Sequence, residues 1–115
     1  MNDDNKYIEI YNCLEEMKAN HPNNISLLEF CQQCLTDDTL EYLPTEVSIR
    51  HGKVMFDYEE DNGNHLMVSF SEELASFETK GIEYYSFKKN STVANSRMAW
   101  NDMCKLINQW HKETA

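Results

Sequence analysis

Apolar positions in the first twenty residues recur every three or four: Tyr7, Ile10, Tyr11, Leu14 and Met17 form one stripe, with Glu9, Glu15, Glu16 and Lys18 off it. That period predicts a helix over residues 3 to 20. Asp3 and Asp4 stand where carboxylates favour the positive end of a helix, and His21-Pro22 stops it. A second helix is expected from Leu27 to about Thr36, carrying Leu28, Cys31, Cys34 and Leu35. Ser26 and Glu29 have the spacing of a capping box before it, and Ile25 and Phe30 that of a hydrophobic staple. Asp37-Asp38 is placed to cap a further short turn, TLEYL, that ends at Pro44.

From Glu46 the period changes to two. Val47 and Ile49, then Val54, Phe56 and Tyr58, then Leu66, Val68 and Phe70 alternate with other residues, with His51-Gly52 and Asp61-Asn62-Gly63 between the runs. Three strands joined by two hairpins follow. A two-residue turn at His51-Gly52 pairs Ile49 with Val54 and Val47 with Phe56 and puts both apolar sets on one face. A two-residue Asn62-Gly63 turn would set Tyr58 opposite Met67 and turn Leu66, Val68 and Phe70 to the wrong side. A three-residue loop pairs Tyr58 with Leu66 and Phe56 with Val68, with Gly63 supplying the positive φ of a glycine bulge.

SEELASFET, residues 71 to 79, fits a loop, a short helix or a strand extension, and IEYYSF after Lys80-Gly81 reads as a fourth strand. A final helix is expected from about Ser91 or Ser96 onward, with Trp100, Met103, Cys104, Ile107 and Trp110 as its stripe. The expected fold is therefore α+β: two N-terminal helices, an antiparallel β-meander of three to four strands, and a C-terminal helix packed on one sheet face, in a single domain over residues 1 to 115.

Composition adds one decisive fact. Twenty acidic side chains face ten basic ones, a net charge of −10. The imbalance is concentrated in residues 1 to 79, with seventeen acids and four bases, whereas residues 80 to 115 hold three acids and six bases. A phosphate-backbone binder needs a basic footprint, so direct nucleic-acid binding is not expected; a cationic partner is. MNDDNKYIEI is acidic where a secretion signal is basic and then apolar, and no apolar run approaches the ~20 residues of a membrane helix. A cytoplasmic protein with reduced thiols and no membrane contact is expected.

EFCQQC, residues 29 to 34, is the stretch closest to site chemistry. Residues three apart share a helix face, so Cys31 and Cys34 could both reach one metal, or act as redox thiols. A structural zinc site draws on a second close ligand pair, and no second CxxC or HxxxH exists. A redox pair sits at a helix start after a strand, which this one does not. Two core thiols beside Leu27, Leu28 and Leu35 is the better reading, with a zinc- or thiol-dependent protein as an alternative. There is no glycine-rich phosphate loop and no G-x-S-x-G, and neighbouring acids such as Glu15-Glu16 do not converge on one atom. Neither an enzyme nor a bound cofactor or metal is expected.

Three acidic clusters remain: Asp37, Asp38 and Glu41 after the second helix; Glu59, Glu60 and Asp61 at the second hairpin; Glu72 and Glu73 after the third strand. They either keep the protein soluble or form a recognition surface for a basic protein partner, with Tyr85, Tyr84 and Tyr42 as aromatic companions. An immunity protein against a nuclease-type toxin is the expected case, since that toxin's cleft must be cationic. Small acidic α+β immunity proteins and phage anti-defence proteins share this size, charge and architecture. The alternative is a phage-type DNA mimic, whose carboxylates replace phosphates in the channel of a DNA-binding or defence protein.

Overall fold

In a computed structural model, residues 2–72, 81–88 and 91–114 are described. Helix α1 (Asn2–Asn20) buries Ile10 and Leu14 and half-buries Tyr7, Tyr11 and Met17, the stripe that its spacing marks out. The N–H of His21 still reaches the carbonyl of Met17 at 2.8 Å. Pro22 then turns the chain into a 3-10 turn, Pro22–Asn24, which runs straight into helix α2 (Ile25–Leu35).

The start of α2 corrects the expected capping. Pro22 begins the winding early, and the N–H of Asn24 already bonds the His21 carbonyl at 3.0 Å, so Ser26 lies inside the helix. Asn24 holds the cap position without a side-chain hydrogen bond, and Ile25 is 40% exposed, so neither the box nor the staple forms. Instead α1 and α2 are tied by Gln32, whose Nε2 donates to Glu15 Oε1 at 2.9 Å, and by Lys18 between Glu15 (3.2 Å) and Glu29 (3.8 Å).

The strands β1 (Glu46–Arg50), β2 (Lys53–Glu59), β3 (His65–Ser71), β4 (Gly81–Lys88) and β5 (Ser91–Arg97) form one antiparallel sheet in chain order. The hairpin registers are those expected: Ile49 faces Val54, Val47 faces Phe56, Tyr58 faces Leu66 and Phe56 faces Val68. His51 (φ 52°) and Gly52 (φ 75°) both take the left-handed conformation of a turn whose twist matches its strands. In the second hairpin Glu60 N–H bonds the Asn64 carbonyl at 2.9 Å and Gly63 N–H bonds the Glu60 carbonyl at 3.0 Å, closing three residues with Gly63 at φ 90°. Of SEELASFET, residues 73–79 lie outside the described residues. IEYYSF is β4.

The fifth strand is the second correction. Ser91–Arg97, where the final helix could have begun, pairs with β4 across a register shift between Tyr84 and Ser86, and helix α3 (Trp100–Thr114) starts only after it. The segment holds β-branched Thr92 and Val93 and lies ahead of the apolar stripe that opens at Trp100. As a strand it satisfies the ladder groups that β4 would otherwise leave unpaired.

The three helices cover one face of the sheet. Val54, Phe56, Leu66, Val68, Phe70 and Ile82 meet Leu14, Leu27, Leu28, Trp100, Met103 and Ile107 in a single core, all at 0% exposure. Phe70 sits at the junction: its ring centroid is 4.6 Å from Phe56 of β2, 5.8 Å from Trp100 of α3 and 5.9 Å from Phe30 of α2. Cys31, Cys34 and Cys104 are free thiols in the same core. Burial, and then the nearby Cys31, Cys104 and Asp37, pushes the Cys34 thiol far above its ordinary value. Burial followed by Asp37 pushes Cys104 up to about 12. Phe30, Cys31 and Cys34 of EFCQQC therefore lie inward, while Glu29 and Gln33 are exposed, and no group of three His, Cys, Asp or Glu side chains is placed to hold a metal among the described residues.

Two outcomes follow from this core. Phe70→Ala should cost about 3–5 kcal/mol in urea unfolding, since it opens a cavity between three elements; a loss under about 1 kcal/mol would show that the junction is not where stability resides. Below pH 9.0, the ordinary thiol value, folded and unfolded chains both keep the Cys104 proton; from there to about 12 only the folded chain keeps it. Stability should thus fall as pH rises through that window, and the fall should be shallower in Cys104→Ala.

Candidate functional site

The loop from Thr36 to Thr45 has no regular structure, yet each stretch of it is tied down. Asp37 folds it back: its Oδ1 accepts the Thr39 N–H at 2.9 Å, and its carbonyl accepts the Leu40 N–H at 3.0 Å. The other carboxylate oxygen of Asp37 accepts the indole N–H of the buried Trp100 at 2.9 Å. Further along α3 the Asn108 amide donates to the Thr39 carbonyl (2.8 Å) and accepts the Glu41 N–H (3.0 Å), so one side chain holds both sides of the turn. The loop therefore runs along α3 and presents Glu41 and Tyr42 beside the helix end. Tyr42 meets the His111 ring edge to face, with centroids 3.8 Å apart.

The second hairpin closes on the same helix end. Glu60, only 13% exposed at its side chain, accepts from His111 Nδ1 at 2.7 Å and lies 3.1 Å from the Thr114 hydroxyl. Asn62 Nδ2 donates to the Thr114 carbonyl at 2.7 Å, one of the carbonyls that a helix terminus leaves without an internal partner. Thr45 joins the remaining wall: its hydroxyl accepts the Glu59 N–H at 3.1 Å, and its carbonyl accepts Lys6 Nζ of α1 at 2.9 Å.

These straps enclose a groove of about 560 Å³, within the size range of ligand sites. Glu41, Glu59 and Glu60 line it with Tyr7, Tyr42, Trp110, His111, Leu40 and Leu43, and Lys6 is the cation among them. Tyr58 also lines it; the residue is 4% exposed, and its hydroxyl is buried with no hydrogen-bond partner among the described residues. Burial, then the nearby Cys104 and Cys34, raises that hydroxyl well above the ordinary tyrosine value, so it stays protonated.

Of the candidate residues, the groove brings together Glu41, Glu59 and Glu60, with exposed Asp38 and Asp61 one or a few residues away along the chain. Asp37 is committed to Trp100 and Thr39. Glu72 is exposed just past β3, at the opposite end of the sheet from the Glu59–Asp61 hairpin, and Glu73 lies outside the described residues. Tyr85 is on the face without helices, with its hydroxyl donating to Glu83 Oε2 at 3.0 Å. Tyr84 lines a second hollow beside Leu66 and Trp110. Lys6, Tyr7, Tyr58, Trp110 and His111 were not among the candidates; Tyr58 and Trp110 read as core from their spacing, and the solitary His111 carries no local signal.

No family model, curated protein or solved structure matches the chain. No described helix is long and apolar enough to cross a membrane.

Glu60 and its neighbour Asp61 should behave differently on substitution. Glu60→Ala removes the acceptor of His111 and should lower stability by about 1.5–3 kcal/mol, while Asp61→Ala, at an exposed position, should stay within about 0.5 kcal/mol. Denaturant unfolding of the two variants side by side checks this, and equal losses would remove Glu60 as a strap.

Proposed function

We propose that this chain is a small non-enzymatic binding protein that neutralises a basic protein partner, in the manner of an immunity protein occupying the cationic cleft of a nucleic-acid-cutting toxin. The observation that carries the reading is the groove: three carboxylates from two distant segments converge on an aromatic wall at one end of α3. Crowded like charges repel and cost stability, and a cationic partner relieves that repulsion. Aromatic anchors beside charges are also what the core of a protein interface enriches.

A DNA mimic works by a long acidic stripe that follows a phosphate backbone. The compact groove, with Glu72 far from it, favours a single dedicated partner instead. Carboxylates on a rim speed encounter, while the aromatic groove slows dissociation.

The test is affinity capture from host lysate with the chain and with its Glu41→Lys/Glu59→Lys variant, washed at rising salt. One basic protein should stay on the parent chain at one-to-one stoichiometry, leave the variant, and lose its own activity when the parent chain is added. Several nucleic-acid-binding proteins leaving together as salt rises would favour mimicry, and equal retention by the variant would remove the groove from the interface.

A further inference from the structure

The second face of the sheet carries its charges in a fixed order. The helices cover the face of Val54, Phe56 and Val68, so the alternation of side chains turns Glu46, Ser48 and Arg50 of β1, Lys53, Met55 and Asp57 of β2, and Met67 and Ser69 of β3 to the other, where no helix lies among the described residues. Glu46 stands directly opposite Asp57, and Arg50 directly opposite Lys53. One hairpin thus sets two acids side by side at one end and two bases side by side at the other. Like charges directly opposite on neighbouring strands destabilise a sheet. His65 Nε2 lies 3.3 Å from Asp57 Oδ1. Arg50 and Lys53, both exposed, have no acidic partner among the described residues.

Between the two charged ends lies the row Ser48, Met55 and Ser69, with half-buried Met67 beside it. Methionine is unbranched and adapts to the surface laid against it. Towards β5 the polar groups are already paired, since Glu83 accepts the Tyr85 hydroxyl at 3.0 Å and Arg97 Nη2 at 3.4 Å. The face as a whole sets Glu46, Asp57, Glu59 and Glu83 against Arg50, Lys53 and Arg97, close to neutral on a chain of net charge −10. It is therefore spared much of the repulsion that holds copies of so acidic a chain apart. A face whose charge runs from acid to base along its strands fits a copy of itself. A two-fold contact uses the same patch on both sides, and aligned sheets pack with strand directions within about 30°. With the strands of the two copies antiparallel, the acidic end of each lies over the basic end of the other. Parallel strands would stack acid on acid.

We propose that this face joins two copies of the chain: the sheets pack face to face with antiparallel strands, Met55 and Met67 at the centre, and Arg50 and Lys53 of each copy against Glu46 and Asp57 of the other. Both like-charge pairs then gain opposite partners at once. The proposal stands apart from the groove, whose reading it neither needs nor alters.

Sedimentation equilibrium of the full chain at micromolar concentration and physiological salt should give a dimer, twice the 13.5 kDa of one chain. Arg50→Glu/Lys53→Glu makes the face acidic at both ends, and Glu46→Lys/Asp57→Lys makes it basic at both. Each variant alone should be monomeric, with the circular dichroism of the parent chain. Mixed in equal amounts, the two should pair one to one, because every end then meets its opposite. A monomeric parent chain, a variant that stays dimeric, or a folded mixture that does not pair would overturn the interface. Where a double variant fails to fold, Met55→Arg takes its place: a charge at the centre of the face should leave a monomer, and a persisting dimer would overturn the proposal just as well.

Discussion

Phe70 is the contact on which the layers depend. Its ring lies against Phe30, Phe56 and Trp100, so one side chain near the end of β3 touches the second helix, a neighbouring strand and the last helix. Aromatic pairs at these separations add specific geometry to the area they bury. The rest of the core can then form on either side: α1 and α2 over the early strands, α3 beside them. Trp100 also fixes what lies outside the core, because its indole N–H is satisfied by Asp37. A buried donor thereby sets the path of a loop that is itself at the surface.

That path gives the groove its shape. Asp37, Asn108, Asn62 and Glu60 each spend polar groups on holding loop and hairpin to α3. Acidity here has two separate uses. Asp37 and Glu60 are structural acceptors, enclosed and paired, whereas Glu41 and Glu59 stay in solvent with Asp38 and Asp61. Net charge alone does not distinguish the two groups. Hydrogen-bond partners do.

The meander was legible because its turns leave few options. A one-residue slip at either hairpin would move every apolar side chain to the wrong face, and His51-Gly52 and Gly63 are suited to the turns that prevent it. The start of α2 was misread because a capping box is a local signal and Pro22 had already begun the winding upstream. The fifth strand was hidden for a similar reason: its pairing with β4 is a tertiary requirement, and its short polar sequence competes with a strong helical stripe close by. Cys31 and Cys34 were placed in the core from their neighbours alone. The groove was only half legible. Its acids stood out as clusters, but its walls come from residues 6–7, 40–45, 58–60 and 110–111, whose convergence no local pattern encodes.

That convergence makes the groove a reporter of global folding. No single element owns it; it exists only while α1, the loop, β2 and α3 are docked at once. Anything that binds there has affinity for the fully assembled chain alone, and so draws the population out of every partly open state by mass action. The C-terminal turn of α3, which in isolation would fray, is thereby held closed along with the rest of the molecule. A ligand at the surface thus acts on the cooperativity of the whole molecule.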